Sequence, residues 1–141
     1  MFQKTHEIKV KTKDQRLINI TDEVEKFLAS SGVGSGLINI FILHTSASLV
    51  IQENASKDVM ADLLDFYDKL APMKVGLYQH DSEGLDDMPA HLKAMITNTT
   101  LTLSIVNAQL QLGTWQGIYL FEHRKSSHVR DVTVHCLGQK V

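Results

Sequence analysis

Three histidines stand beside small polar and acidic residues in short, non-repetitive segments: His44 in His-Thr-Ser-Ala, His80 in Tyr-Gln-His-Asp-Ser-Glu-Gly, and His91 in Pro-Ala-His-Leu-Lys. Three neutral imidazoles with an open fourth position are the usual ligand set of a catalytic zinc ion, and an imidazole is also a good proton donor to phosphate oxygens. These residue types therefore suit a site for a divalent metal ion, zinc or magnesium, or for a phosphate. The three histidines lie far apart in the chain, so only the fold can bring them together. Taken singly, each reads as an ordinary surface or hydrogen-bonded histidine.

The elements that must position them follow from periodicity. His6 to Thr12 alternates as a half-buried strand does, and Ile18 to Ile20 can form a second. Thr21, the acidic pair Asp22–Glu23, and Val24, Phe27 and Leu28 on one face mark a short helix, with the glycine-rich run from Ser30 to Gly36 expected as a flexible loop. Leu37 to Leu43 is almost wholly apolar and reads as a strand buried on both faces, with His44 at its end. Ser46 to Glu53 returns to alternation. Asn54 is placed to cap a helix whose Val59, Met60, Leu63, Leu64, Tyr67 and Leu70 form a core stripe, and Pro72 ends it.

Between Leu77 and Met88 the chain turns polar, acidic and aperiodic, the composition of a loop that carries function. Pro89 suits the first turn of a helix, which places His91 at a helix start, where amide donors and partial positive charge favour anions and a neutral imidazole. Asp86 and Asp87 complement the helix dipole there. The remainder is β-rich: Leu101–Val106, Gln109–Leu112, Gly117–Phe121 and Val129–Cys136 fit strands, the first two as a hairpin across Asn107–Ala108. In Gly113-Thr114-Trp115-Gln116, glycine is free to adopt positive φ. The only tryptophan follows, able to pack or to flank a planar ring, and then an amide that can read a donor–acceptor pair.

Composition narrows the function classes. The chain has 141 residues, enough for one domain spanning 1–141, and 14 Lys and Arg against 16 Asp and Glu, scattered without a basic stripe. Nucleic acid is a poor partner for such a surface. No stretch approaches 18 apolar residues and the start of the chain has no apolar signal region, so no membrane association is expected and the reading is soluble and cytoplasmic. The lone Cys136 excludes a disulfide scaffold and reads as a buried structural thiol.

Several segments carry a resemblance: His44-Thr45-Ser46-Ala47, Gln52-Glu53-Asn54-Ala55 with Asp58, Tyr78-Gln79-His80 with Glu83-Gly84, Pro89-Ala90-His91-Leu92-Lys93-Ala94, and above all Gly113-Thr114-Trp115-Gln116-Gly117-Ile118-Tyr119. Over nearly the whole chain these resemble the YjbQ family. The resemblance implies a compact, strand-rich, sandwich-like α+β domain with two or three short helices, assembled as a homotrimer, with a histidine-lined pocket for a metal ion or phosphate. It also implies an activity of the thiamine-phosphate synthase type, joining a hydroxymethylpyrimidine diphosphate to a thiazole phosphate with loss of diphosphate. One departure stands out. Many members carry Glu-x-Asp-Gly-Pro-Arg after the Gly-Thr-Trp-Gln strand, whereas this chain reads Glu122-His123-Arg124-Lys125-Ser126-Ser127-His128-Val129-Arg130.

For an enzyme of that type, His44, His80 and His91 are expected to hold the cation, and Arg130 or Arg124 to contact the anion. Glu83 or Glu122 balances charge on the ring, and Ser46, Asn54, Lys93, Trp115 and Gln116 contact the phosphorylated small molecule. Losing one donor from a site that stabilises a departing anion costs about 2.7–4 kcal/mol of barrier. The other class is a module that binds a metal or phosphometabolite without turnover, and a metal-dependent phosphohydrolase is a further enzyme reading.

Overall fold

The structure is a computed structural model that describes residues 1–141. Eight strands and three helices follow one another as β1 (Phe2–Thr12), β2 (Arg16–Asn19), α1 (Thr21–Ser31), β3 (Val33–Ile42), β4 (Ala47–Glu53), α2 (Lys57–Leu70), α3 (Asp87–Ile96), β5 (Thr100–Val106), β6 (Gln109–Leu110), β7 (Gln116–Glu122) and β8 (His128–Lys140). They form two antiparallel sheets, one in the order β1-β8-β3-β5-β6 and the other β2-β7-β4. The class is α+β, as the strand-rich pattern suggested. No helix is long and apolar enough to cross a membrane.

The core is built from alternation. On β3, Ile38, Ile40 and Ile42 are buried, while Leu37 and Phe41, with Leu43 just past the strand, are exposed. The expectation of a strand buried on both faces is therefore corrected: an antiparallel sheet carries helix and second sheet on one side only. Val132, Val134 and Cys136 of β8, Leu101, Leu103 and Ile105 of β5, Leu49 of β4, and Ile118 and Leu120 of β7 meet Val24, Phe27 and Leu28 of α1 in one apolar cluster. Cys136 is a buried free thiol.

The run from Ser30 to Gly36 is a second correction. Gly32 ends α1 in the left-handed region at φ 81°, but β3 begins at Val33, so Gly34, Ser35 and Gly36 are strand residues. Gly36 lies opposite Gly138 on β8, and a Cβ on either would come within 2.0 Å of a carbonyl oxygen on the other strand. These glycines permit close backbone approach rather than mobility. The hairpin from β5 to β6 turns at Asn107 and Ala108, both at positive φ (52° and 59°), the conformation a two-residue turn between twisted strands requires.

Helix α2 differs from the expected core stripe, because none of its residues is fully buried. Its apolar face is half-covered, through contacts such as the edge-on approach of Tyr67 to Phe121 at 5.3 Å. Asn54 does not cap it. The carboxylate of Glu53 accepts from the backbone N–H of Ala55 and Ser56, while the Asn54 amide donates to Thr114 O and Gln116 O.

Candidate functional site

Helix α3 and the loop before it converge on one buried carboxylate. Asp87 opens α3, and His91 follows at i+4, so both side chains project from the same face. The loop folds back to bring His80 onto the same atom. His80 Nε2 lies 2.6 Å and His91 Nε2 3.2 Å from Asp87 Oδ2, and the two rings stand 5.6 Å apart by centroid. His91 donates its Nδ1–H to the carbonyl of Thr45 at 2.9 Å, which fixes the ring and leaves Nε2 facing Asp87. One ligand atom from each of His80, Asp87 and His91 lies within 4.8 Å of the others, a spacing that suits a common cation.

The second oxygen of Asp87 is committed elsewhere. Arg124, just past β7, donates Nη1–H to Asp87 Oδ1 at 2.6 Å, Nε–H to Asp86 Oδ2 at 3.1 Å and Nη2–H to Glu83 O at 3.0 Å. Burial alone would raise the Asp87 pKa. The hydrogen bond from His80, the Arg124 charge and His91 outweigh it and hold the carboxyl below its usual range. Asp86 is lowered likewise, against burial, by the Lys125 N–H and Arg124. His80 is shifted up, first by its hydrogen bond to Asp87 and then by the charges of Asp87, Glu83 and Asp81, with desolvation opposing.

His44 lies outside this group. Its Nε2 accepts the backbone N–H of Asp131 at 2.7 Å and its Nδ1 faces the Arg130 guanidinium Nη1 at 3.4 Å, so both ring nitrogens are occupied within the fold in this conformation. Burial, then the Arg130 charge, push its pKa down. The chain thus brings His80 and His91 together and supplies Asp87 as the third donor. Asp87 could have been found from its i, i+4 spacing to His91. Its acidity beside a helix start instead read as a complement to the dipole.

Glu122 and Arg130 form a sealed pair deep in the molecule. Arg130 Nε–H and Nη2–H donate to the two Glu122 oxygens at 2.8 and 2.6 Å, and Nη2 also reaches Ser46 O and Oγ at 3.2 and 3.0 Å. Thr12 and the Arg124 N–H complete the carboxylate. Burial would raise the Glu122 pKa, but these donors more than offset it and hold it low. The Lys93 ammonium is likewise buried, donating to Asp68 Oδ1 at 2.5 Å.

Glu83 is the one expected catalytic carboxylate at the cluster, 3.0 Å from His80 Nε2 and open to solvent. Trp115 and Gln116 sit at the start of β7, whereas Glu122 ends it. Six residue steps at about 3.3 Å separate the two ends by roughly 20 Å. Trp115 is 66% exposed, and Gln116 Oε1 accepts the Gly113 N–H at 2.7 Å. Gly113 is not at positive φ. Its value is space, since a Cβ there would meet Gln116 Oε1 at 3.1 Å.

Comparison with known proteins places this architecture. A family described as "UPF0047 protein YjbQ-like" matches residues 6–139. The chain belongs to this YjbQ-like family. It is 46% identical over 130 residues to UPF0047 protein sll1880 of Synechocystis, covering 92% of this chain and 88% of that protein. It is 41% identical over 139 residues to UPF0047 protein YjbQ of Escherichia coli O157:H7, with 98% and 99% covered. A crystal structure of an uncharacterized conserved protein of the yjbq/upf0047 family from Clostridium acetobutylicum superposes with a TM-score of 0.86 at 40% identity, covering 94% and 99%. Hypothetical protein APE1520 from Aeropyrum pernix superposes at 0.87 with 28% identity, covering 96% and 99%.

Proposed function

We propose that this YjbQ-like chain is a divalent-cation-dependent enzyme acting on a phosphorylated small molecule, with His80, Asp87 and His91 as the cation's ligands. The thiamine-phosphate-forming transfer implied by the family resemblance is the first reaction to test. The observation that carries the reading is the convergence of two imidazole nitrogens on a carboxylate oxygen whose partner oxygen is neutralised by Arg124. Two nitrogens and one oxygen are a donor set that zinc and related ions accept, and three protein ligands leave a position for substrate. A cation held there would stabilise charge developing on a departing phosphate oxygen.

The chain's own residues do the rest. His91 is oriented by Thr45, and Asp87 by Arg124. Glu83, the acid at the cluster whose carboxylate no arginine holds, is placed to move a proton or to balance positive charge on the organic part of the substrate. The helix start offers little direct anion binding. The Asp87 N–H is given to Gly84 O, that of Ala90 to Asp86 O, and Pro89 has none, which leaves the Met88 N–H as the one amide of that turn open to an anion. Phosphate recognition therefore falls to the cation rather than to amides.

Binding without turnover is the second reading, and one observation favours it: Glu122 and Arg130 are closed on each other, which leaves Glu83 as the free acid. Calorimetric titration with zinc, manganese and magnesium, followed by assay with the two thiamine-phosphate precursors, tests both. In the wild type we expect one cation per chain and cation-dependent turnover. His80→Ala and His91→Ala should each weaken the cation by at least about a hundredfold, beyond the 10–100-fold typical of an outer partner. Cation binding without turnover of any phosphorylated substrate supports the second reading. Unchanged cation affinity in both variants refutes the site.

A further inference from the structure

Residues 72–86 form a long exposed segment between α2 and α3, and His80 lies within it. Its internal hydrogen bonds are local: Tyr78 Oη–H donates to Pro72 O, and the Leu77 N–H donates to Lys74 O. His80 itself bonds Asp87 and approaches Glu83. Every hydrogen bond from this segment to another part of the fold beyond α3 ends on one strand terminus. Arg124 donates to Asp86 and to Glu83 O, and the backbone N–H of Lys125 donates to Asp86 Oδ2 at 2.8 Å. The third arm of the same guanidinium takes Asp87 Oδ1.

We propose that Arg124 is a positioning residue for the candidate cation site: its guanidinium fork locks the His80-bearing loop to β7 and turns Asp87 so that Oδ2 alone faces the two histidines. This inference rests on the cation reading above. All three nitrogens of the fork are engaged, two by the loop and one by Asp87 of α3, so Arg124 is not an anion contact in this arrangement, although sequence made it a candidate for one. The guanidinium geometry is what the task requires. A planar fork can hold a carbonyl and two carboxylates in fixed relative orientation, whereas an ammonium on a flexible stem cannot. The clamp is also compatible with both states of the site. Binding a cation replaces the imidazole contacts on Oδ2, while the Arg124 bond on Oδ1 remains.

Charge and geometry make opposite predictions for one pair of variants. Removing a positive charge beside a cation site favours the cation, so a purely electrostatic Arg124 would give Arg124→Gln with equal or higher affinity and Arg124→Lys close to wild type. A positioning Arg124 gives a loss in both, about 10–100-fold in zinc affinity by titration, with lysine failing to rescue. Amide hydrogen exchange of metal-free protein supplies a readout independent of the cation. The amides that tie the loop down, Asp87 N–H on Gly84 O, Ala90 N–H on Asp86 O and Lys125 N–H on Asp86 Oδ2, should lose protection in both variants while β3 and β8 keep theirs. Wild-type or tighter zinc binding in Arg124→Gln overturns the positioning role and leaves the cation site standing. Faster loop exchange in the variants of a protein that binds no zinc overturns the cation reading and leaves the clamp standing. Unchanged loop exchange in both variants overturns the clamp, whatever zinc does.

Discussion

Two arginine–carboxylate pairs stand a few residues apart on the same strand end, and they are finished differently. Around Glu122, every donor and acceptor is matched: Arg130 takes both oxygens, Thr12 and a backbone N–H fill the remainder, and the carboxylate is wholly buried. Around Asp87, Arg124 takes one oxygen and the other is shared by two imidazoles that reach solvent. A saturated pair can do little but hold the fold. A half-saturated one, with titratable partners on its open side, can exchange protons for a cation. The neighbouring histidines repeat the contrast. His123 is buried, bonded through Nε2 to Ser48 Oγ at 2.9 Å with Nδ1 unpartnered, and burial, then Lys93 and Arg130, push its pKa down to about 3. His80 is shifted the other way by its acidic neighbours.

The largest effect expected from this contrast is on stability at the sealed pair. Arg130→Ala leaves Glu122 buried without its counter-charge, a change that costs about 3–5 kcal/mol. For a domain of this size that corresponds to a melting temperature lower by roughly 10–20 °C. Zinc affinity should change far less than in His80→Ala or His91→Ala. A melting point within a few degrees of wild type would mean that the pair is not closed as described.

Acid should attack the sealed region next. In the unfolded chain His123 takes a proton near pH 6.5, but in the fold only near 3, so below pH 6.5 the unfolded state binds more protons and stability falls as pH falls. At about 1.36 kcal/mol per unit, moving from pH 7 to 4.5 removes roughly 2–3 kcal/mol through this group. Glu122, also held low, adds its own loss only below its unfolded value, near pH 4.5. His80 has the opposite sign: its contribution is present at low pH, lost as pH rises through the raised folded value, and reduced by solvent screening. Urea unfolding of wild type and His123→Phe between pH 7 and 4.5 checks the assignment. The slope against pH should flatten in the variant, and an unflattened slope would assign the acid sensitivity to another group.

At the open pair the balance reverses. Asp87→Asn keeps shape but removes charge, and loss of charged hydrogen bonds there should cost about 1.5–3 kcal/mol of stability. Zinc binding should nevertheless disappear from the titration. A variant that bound zinc as the wild type does would erase the distinction between the two pairs.

The reach of the sequence differs between these regions for physical reasons. His80 and His91 were legible because an acidic aperiodic loop and a proline-started helix are local features, and local features decide which side chains are presented. The role of His44 was not, because the Asp131 N–H that occupies its Nε2 lies 87 residues away on β8. Glu122 and Arg130 looked like chemistry because charged side chains on strand ends usually face solvent. Their burial comes from distant parts of the chain, Thr12 of β1 and Ser46 before β4, meeting around them. The glycine run from Ser30 to Gly36 looked like a loop because composition does not say that Gly36 faces another glycine across a strand pair.

The smallest effect belongs to the far end of β7 and tests how far the comparison extends. Trp115 is exposed, and its loop is held by Asn54 and Gln116 rather than by the indole, so Trp115→Ala should change stability by no more than about 0.5 kcal/mol. Lying roughly 20 Å along the strand from Glu122, the ring cannot touch the His80, Asp87 and His91 cluster of its own chain. Zinc affinity in the variant should therefore equal that of the wild type. Fluorescence sharpens the test, because this is the only tryptophan in the chain. Adding zinc to the wild type should leave the indole emission unchanged if one chain makes the whole cation site. An emission shift that saturates with zinc, together with weaker zinc binding by Trp115→Ala, would show the two ends of β7 to be energetically joined. Confining the working site to the 80–91 region and Arg124 would then be wrong.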